Sequence, residues 1–168
     1  MKYLIVIFLV VSSLCAADTA LDIAVDFVAE REGWKGEAYC DEAGNATIGY
    51  GELLKHDCDN LEVYVVETES KSREWLTERV THLLADVRHH VTVSLRPNQE
   101  AALVSLAYNI GQHAIGSSTL LMMINTEQPT GVIIGEWVTW DKEHRAGRLV
   151  RSNGLSERRA LEVALYLQ

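Results

Sequence analysis

Proline is nearly absent from this chain, with two residues in 168, and no low-complexity or repeated segment occurs. With 23% charged residues and four tryptophans, that excludes a disordered, linker-like protein. Basic residues are the minority, 15 against 24 acidic, for a formal net charge of -9. That balance lacks the cationic surplus that grips phosphate backbones, so no nucleic-acid partner is expected. Cysteine occurs three times, at Cys15, Cys40 and Cys58. The cluster His56-Asp57-Cys58-Asp59 has no second ligand pair at zinc spacing, so no metal is expected. His89-His90 ends a polar helix and reads as a solvated pair. Long apolar runs are missing everywhere except the N-terminus, so no internal segment reads as a membrane span.

What is present is a 48% apolar composition, ample for the core of one domain or at most two. Residues 1–17 combine Lys2, an unbroken apolar run over 3–11 and the small-residue end Cys15-Ala16-Ala17. That pattern reads as a secretory signal with a cut after Ala17. As a helix, 3–17 would cover roughly 22 Å, short of the roughly 30 Å of a bilayer core. A retained anchor is the alternative, and only then would the membrane be a partner. Export to the periplasm or beyond would permit a Cys40–Cys58 disulfide. Two free buried thiols are the other reading.

Periodicity sets out the remaining chain. Asp18-Thr19 can cap a helix to about residue 31, stopped by Gly33. Glycine-rich 36–51 reads as a β-hairpin turning at 41–45. Residues 52–68 read as acidic and irregular, with one further strand at 63–66. Apolar spacing then predicts a helix over 70–90, with Trp75, Leu76, Val80, Leu83, Leu84 and Val87 on its buried side. The second half reads as helical throughout, over 97–108, 118–125, 131–140 and 156–167. The expectation is an α+β, mainly α fold: a small lobe at 18–69, a connecting helix at 70–90 and a helical lobe at 91–168. A ligand site belongs in the cleft between them.

Glu32 ends the first helix, and Asp41 and Thr47 lie on the hairpin that follows. A carboxyl at a helix C-terminus faces the negative end of the dipole, which favours its protonated form. A second carboxylate on a polar loop stays ionised. Paired carboxyls in contrasting environments suit glycoside hydrolysis, although most loop carboxylates are simply solvated.

The pattern Glu32-Gly33, Tyr39-Cys40-Asp41, Gly44-Asn45-Ala46-Thr47-Ile48-Gly49-Tyr50-Gly51 resembles the phage-type lysozymes, glycoside hydrolase family 24. Glu, eight residues, Asp, five residues, Thr is that family's core spacing. Pro97-Asn98-Gln99, Tyr108-Asn109-Ile110-Gly111, Ser118-Thr119-Leu120-Leu121, Trp140, Arg158-Arg159 and Glu162 extend the likeness, toward the lambdoid phage branch. The resemblance implies a lysozyme-like two-lobe fold and hydrolysis of the β-1,4 bond between N-acetylmuramic acid and N-acetylglucosamine in bacterial peptidoglycan. It further implies no cofactor and a monomer. By position, Glu32 would protonate the glycosidic oxygen, Asp41 would activate water or stabilise the developing cation, and Thr47 would orient that water. Leu53, Tyr108 and Ser118 match saccharide-cleft positions, although core packing or helix capping accounts for each equally well. A silent peptidoglycan-binding module and a lytic transglycosylase are the competing functions.

Three departures from the family pattern stand out: Glu52 where His is usual, Ile115 where an aromatic is usual, and Cys40 beside Asp41. Asn45-Ala46-Thr47 is also a glycosylation sequon, read as chance in a bacterial or phage setting. Charge is unevenly spread. Residues 1–90 hold 17 acidic and 8 basic side chains, and 91–168 hold 7 of each, with bases concentrated over 141–160. That basic stretch is the expected contact with an anionic cell wall.

Overall fold

Thr19 opens the first helix with a capping box: its Oγ1 accepts from the Asp22 amide, and the Asp22 carboxylate accepts from the Thr19 amide. The computed structural model describes residues 19–41, 44–64, 68–145 and 147–168. The export segment expected over 1–17 lies outside them. Helix α1 (Ala20–Glu32) buries Ala24, Val25 and Val28 and ends at Gly33. Strands β1 (Lys35–Cys40), β2 (Ala46–Gly49) and β3 (Glu52–Lys55) form an antiparallel sheet in that order.

The third strand corrects the expectation of an irregular 52–68. Leu53 pairs with Thr47 and Glu52 with Ile48, so the sheet extends directly through the turn at Tyr50-Gly51. Of the strand expected at 63–66, Val63 belongs instead to a 3-10 turn over Leu61–Val63 and Tyr64 is not in a strand, while 65–67 lie outside the described residues. All four β2 residues are buried, because the sheet docks on the next helix. At Gly49, with φ +65, an added Cβ would meet Ser72 Oγ at 2.8 Å. Only glycine tolerates both that backbone and that approach.

Thr68 caps the long helix α2 (Glu69–His90) by accepting from the Lys71 amide. Leu76, Val80, Leu83, Leu84 and Val87 form its buried stripe. Trp75 does not join them. It stays 36% exposed, one residue off the stripe and turned toward an open cleft. His89 and His90 are exposed at the helix end.

Pro97 begins α3 (Pro97–Ile110), whose residues from Ala101 to Tyr108 are all buried. A helix apolar on every side belongs at the centre of a bundle; here α1, α2 and α7 pack around it. The short helices α4 (Gln112–Gly116), α5 (Thr119–Asn125) and α6 (Thr130–Trp137) follow, and α7 (Asn153–Leu167) closes the lobe. Trp137, fully buried, packs against Tyr166. Ile115 is buried in this core.

The second half is not wholly helical. Lys142–Arg145 (β4) and Arg148–Arg151 (β5) form an antiparallel hairpin across the expected basic stretch. Its exposed, alternating charges match strand period as well as loop, and no helical apolar stripe runs through it. Two of its bases are already paired, Arg145 with Glu143 and Arg151 with Asp141. Among the described residues no helix is long and apolar enough to cross a membrane.

Candidate active site

Glu32 is the last residue of α1, and its two carboxylate oxygens have different neighbours. Oε1 accepts from Arg158 Nη1 at 2.7 Å. Oε2 faces the turn at Gly51, 3.7 Å from where a Cβ would stand, with Tyr108 Oη 3.8 Å from the same point. Gly51, at φ +90, thus leaves the space in which a substrate atom can approach Glu32.

Arg158 is itself held from behind. Its Nε reaches Glu162 Oε1 at 3.3 Å and its Nη2 donates to the Ser105 carbonyl at 3.4 Å. Glu162 is fully buried, where a carboxylate needs several donors. Ser105 Oγ supplies one at 2.8 Å, Trp137 Nε1 one at 3.0 Å and Arg159 Nη2 one at 3.1 Å. Arg159, also fully buried, divides Nη2 between Glu162 and Asn109 Oδ1. Its Nε lies 3.0 Å from Glu162 Oε2 without hydrogen-bond alignment. Burial pulls the Arg159 guanidinium below its ordinary range, and Glu162 opposes that.

Asp41 sits at the end of β1, where the turn is closed by Asn45. The Asn45 amide donates to Asp41 Oδ1 at 2.8 Å, and its side-chain Nδ2 lies 3.3 Å from Oδ1 and 3.1 Å from Oδ2. In return the Asp41 amide donates to the Asn45 carbonyl at 2.9 Å. Thr47 Oγ1 donates to that same carbonyl at 3.3 Å. Thr47 is buried on β2, opposite Tyr39 on one side and Leu53 on the other. The Tyr39 phenol is pushed up first by burial, then by the charges of Glu32 and Asp41. Both carboxylates therefore act electrostatically on one ring.

Cys40 and Cys58 are joined by a disulfide, with Cα atoms 5.5 Å apart. It ties the residue before Asp41 to the loop after β3. Among the described residues no cluster of His, Cys, Asp or Glu could hold a metal.

The remaining sequence candidates are spread over three elements, α3, β3 and the start of α5. Tyr108 is buried and donates to the Tyr50 carbonyl at 2.7 Å, and Arg79 stacks 4.5 Å from its ring centre. Burial pushes its phenol far up, with Arg79 opposing. Leu53 is exposed on β3. Ser118 is buried as the N-cap of α5: Oγ accepts from the Leu121 amide and donates to the Ile115 carbonyl. Glu52, which stands where the family usually has His, lies 4.0 Å from Arg79. Its Oε1 is buried without a hydrogen bond, and burial raises its carboxyl above the usual range against the pull of Arg79.

Beyond Glu52 a cleft of about 790 Å³ opens between α2 and the α3–α4 corner, lined by Trp75, Arg79, His82 and His113 among others. On the Arg158 side a groove of about 350 Å³ includes Asn109 and Leu155. Those two residues also line a groove of about 560 Å³ that runs to Trp140, Lys142 and Leu149. The surface thus offers open grooves on the Glu52 and Arg158 sides, suited to a polymer rather than an enclosed small molecule.

Sequence reasoning did not single out Asn45, Arg158 or Glu162 for a role in the site. Arg158 and Glu162 carry a weak signal, the i,i+4 pairing of opposite charges on one helix. Asn45 carries none beyond its place in a polar turn.

The chain matches the family described as Phage lysozyme over residues 29–162. It is 33% identical to an endolysin of Acyrthosiphon pisum secondary endosymbiont phage 1 over 135 residues, 80% of this chain and 88% of that one. Its fold is similar to the endolysin from Escherichia coli O157:H7 phage FAHEc1, with a TM-score of 0.77 and 32% identity, covering 87% of this chain and 91% of that one. It is also similar to the muramidase domain of SpmX from Asticaccaulis excentricus, with a TM-score of 0.75 and 25% identity over 86% and 95% of the two chains.

Proposed function

This chain belongs to the phage lysozyme family, and from that premise we propose that Glu32, Asp41 and Thr47 carry its chemistry. The enzyme is a glycoside hydrolase, a muramidase that cleaves peptidoglycan. The bond is the β-1,4 link between N-acetylmuramic acid and N-acetylglucosamine. Glu32 protonates the leaving glycosidic oxygen from its place over the Gly51 turn. Asp41 faces the developing oxocarbenium charge or the attacking water, and Thr47 orients that water. The observation that carries this assignment is the split environment of Glu32: one oxygen is fixed by Arg158 and the other faces the side-chain-less turn at Gly51.

Leu53 and Tyr108 line the saccharide track, Leu53 by exposed apolar contact and Tyr108 by shaping the turn at Tyr50. Ser118 contributes position, since its hydroxyl is engaged in the α5 cap. The β4–β5 hairpin supplies the basic contact with the anionic wall, through Lys142 and Arg148. Residues 1–17 direct export, leaving an enzyme of residues 18–168 that acts as a monomer in the periplasm or outside the cell. The Cys40–Cys58 disulfide supports that placement, because such bonds persist in oxidising compartments.

Lysis of chloroform-treated bacteria tests the assignment. Wild type clears the suspension, and Glu32→Gln reduces the rate about a thousandfold or more with an unchanged melting temperature. Equal clearing by the two proteins would remove Glu32 from the mechanism.

A further inference from the structure

Asn45 uses every polar atom it has within one small circuit. Its amide and Nδ2 donate to the Asp41 carboxylate, and its carbonyl accepts from the Asp41 amide and from Thr47 Oγ1. Its remaining atom, Oδ1, lies 3.1 Å from His56 Nδ1. Because Nδ2 is turned toward a carboxylate, Oδ1 must accept, so His56 Nδ1 is the donor. His56 is brought there by its own segment. The Asp57 carbonyl accepts from the Ala46 amide at 3.2 Å, and Cys58 is bonded to Cys40.

From this circuit we propose that Asn45 is the positioning residue that sets Asp41 and Thr47 for glycoside cleavage, with His56 holding its amide in the required orientation. The proposal rests on the catalytic reading of Asp41 and Thr47 given above. A carboxylate at the end of a strand has a freely rotating χ1 unless something holds it. Asn45 holds both oxygens from one side and binds Thr47 through the same peptide unit, so the two side chains keep a fixed mutual geometry. Donors to an ionised carboxylate also favour the ionised form, the state in which Asp41 faces the developing positive charge. His56 adds no charge requirement, since Nδ1 is a donor in one neutral tautomer and in the cation alike. Among the described residues, the titratable groups close to this circuit include Asp41 itself, His56, the Tyr39 phenol, and Asp57 on the same loop, whose carboxylate is taken by Lys55. The Tyr39 phenol is raised by burial and by the charges of Glu32 and Asp41.

The measurement is steady-state hydrolysis of purified peptidoglycan across pH, with thermal unfolding of each variant. Asn45→Ala is expected to lower kcat about tenfold with KM within about twofold of wild type, and to move the acidic limb of the pH profile upward. Asn45→Asp, which sets a like charge beside Asp41, moves that limb further. His56→Ala, at an exposed position, gives the same pattern at smaller amplitude. His56→Asn restores wild-type rates, because its Nδ2 occupies the place of His Nδ1. Asp41→Asn serves as the control. If Asp41→Asn is inactive while Asn45→Ala and His56→Ala keep wild-type kcat and an unmoved acidic limb, the positioning role is overturned and the catalytic reading stands. If Asp41→Asn is fully active, both fall. A loss in the Asn45 and His56 variants that tracks melting temperature alone, with no change in the pH profile, also overturns it.

Discussion

Glu32 and Asp41 are held in opposite ways, and the difference follows from what packs against each: helices for the end of α1, a short hairpin turn for Asp41. Glu32 depends on a residue 126 positions away, and through it on a carboxylate sealed among helices α3, α6 and α7. Asp41 takes hydrogen bonds from a residue four positions away, on a loop tied down by one disulfide. The helical lobe has the buried apolar volume to enclose charges and the long-range contacts to align them. The three-stranded sheet buries only one strand fully, and at the Asp41 turn it uses local hydrogen bonds and a covalent staple. One carboxylate is thus fixed by global folding and the other by a short closed circuit.

The widest separation between the two regimes is expected at Glu162. Glu162→Ala removes the acceptor of Ser105, Trp137 and both arginines while leaving the guanidiniums buried. Breaking one side of such a cluster costs about 3–5 kcal/mol, read as a shift in the urea unfolding midpoint. The loss should be accompanied by a fall in activity at temperatures where the protein is still folded, because Arg158 no longer has a backstop for its contact with Glu32. A variant within about 1 kcal/mol of wild type would show that the cluster is an incidental consequence of packing.

This contrast also explains what could be read from the sequence. The capping residue Thr19, the stripe of α2 apart from Trp75 and the Pro97 start of α3 are local or periodic features, and the structure places them where the sequence suggests. The site candidates Glu32, Asp41 and Thr47 were legible through a spacing pattern, and nothing local marks what holds Glu32. Arg158 approaches it only once α7 has packed on α3. Leu53 pairs with Thr47 as part of a strand that composition disguised, since 52–59 is dominated by charge. The hairpin at 142–151 was hidden for a related reason: its pairing is exposed on both faces, so no apolar alternation announces it.

The disulfide is the intermediate case. Cys40 and Cys58 are 18 residues apart, and closing a loop of that length removes unfolded-state entropy equivalent to about 3 kcal/mol. Cys40→Ser with Cys58→Ser is expected to lose about that amount in denaturant unfolding. The activity loss should resemble that of His56→Ala, because the staple carries the loop that presents His56 to Asn45. Stability unchanged by the double substitution would mean the hydrogen bonds at Asp57 and Asn45 suffice to close the circuit.

The smallest effect is expected at Glu52, whose fit can be compared directly with that of Glu162. Glu162 is fully buried and receives donors from Ser105, Trp137 and two arginines; Glu52 is partly buried, with one arginine at 4.0 Å and one oxygen without a partner. Burial, opposed by Arg79, raises the Glu52 carboxyl above its ordinary value of 4.5. A group raised on folding binds its proton more tightly in the native state. Its contribution is therefore fully present below 4.5 and is lost as pH rises through the folded value. At neutral pH the charged Glu52 detracts from stability, and Glu52→Gln should gain about 0.5 kcal/mol there. At about pH 3 the gain should vanish, since Glu52 is then protonated in both states. A Gln variant less stable than wild type at neutral pH would show that the Arg79 contact outweighs the cost of burial. The sheet side of the cleft would then hold its carboxylate by charge pairing, as the helical lobe does.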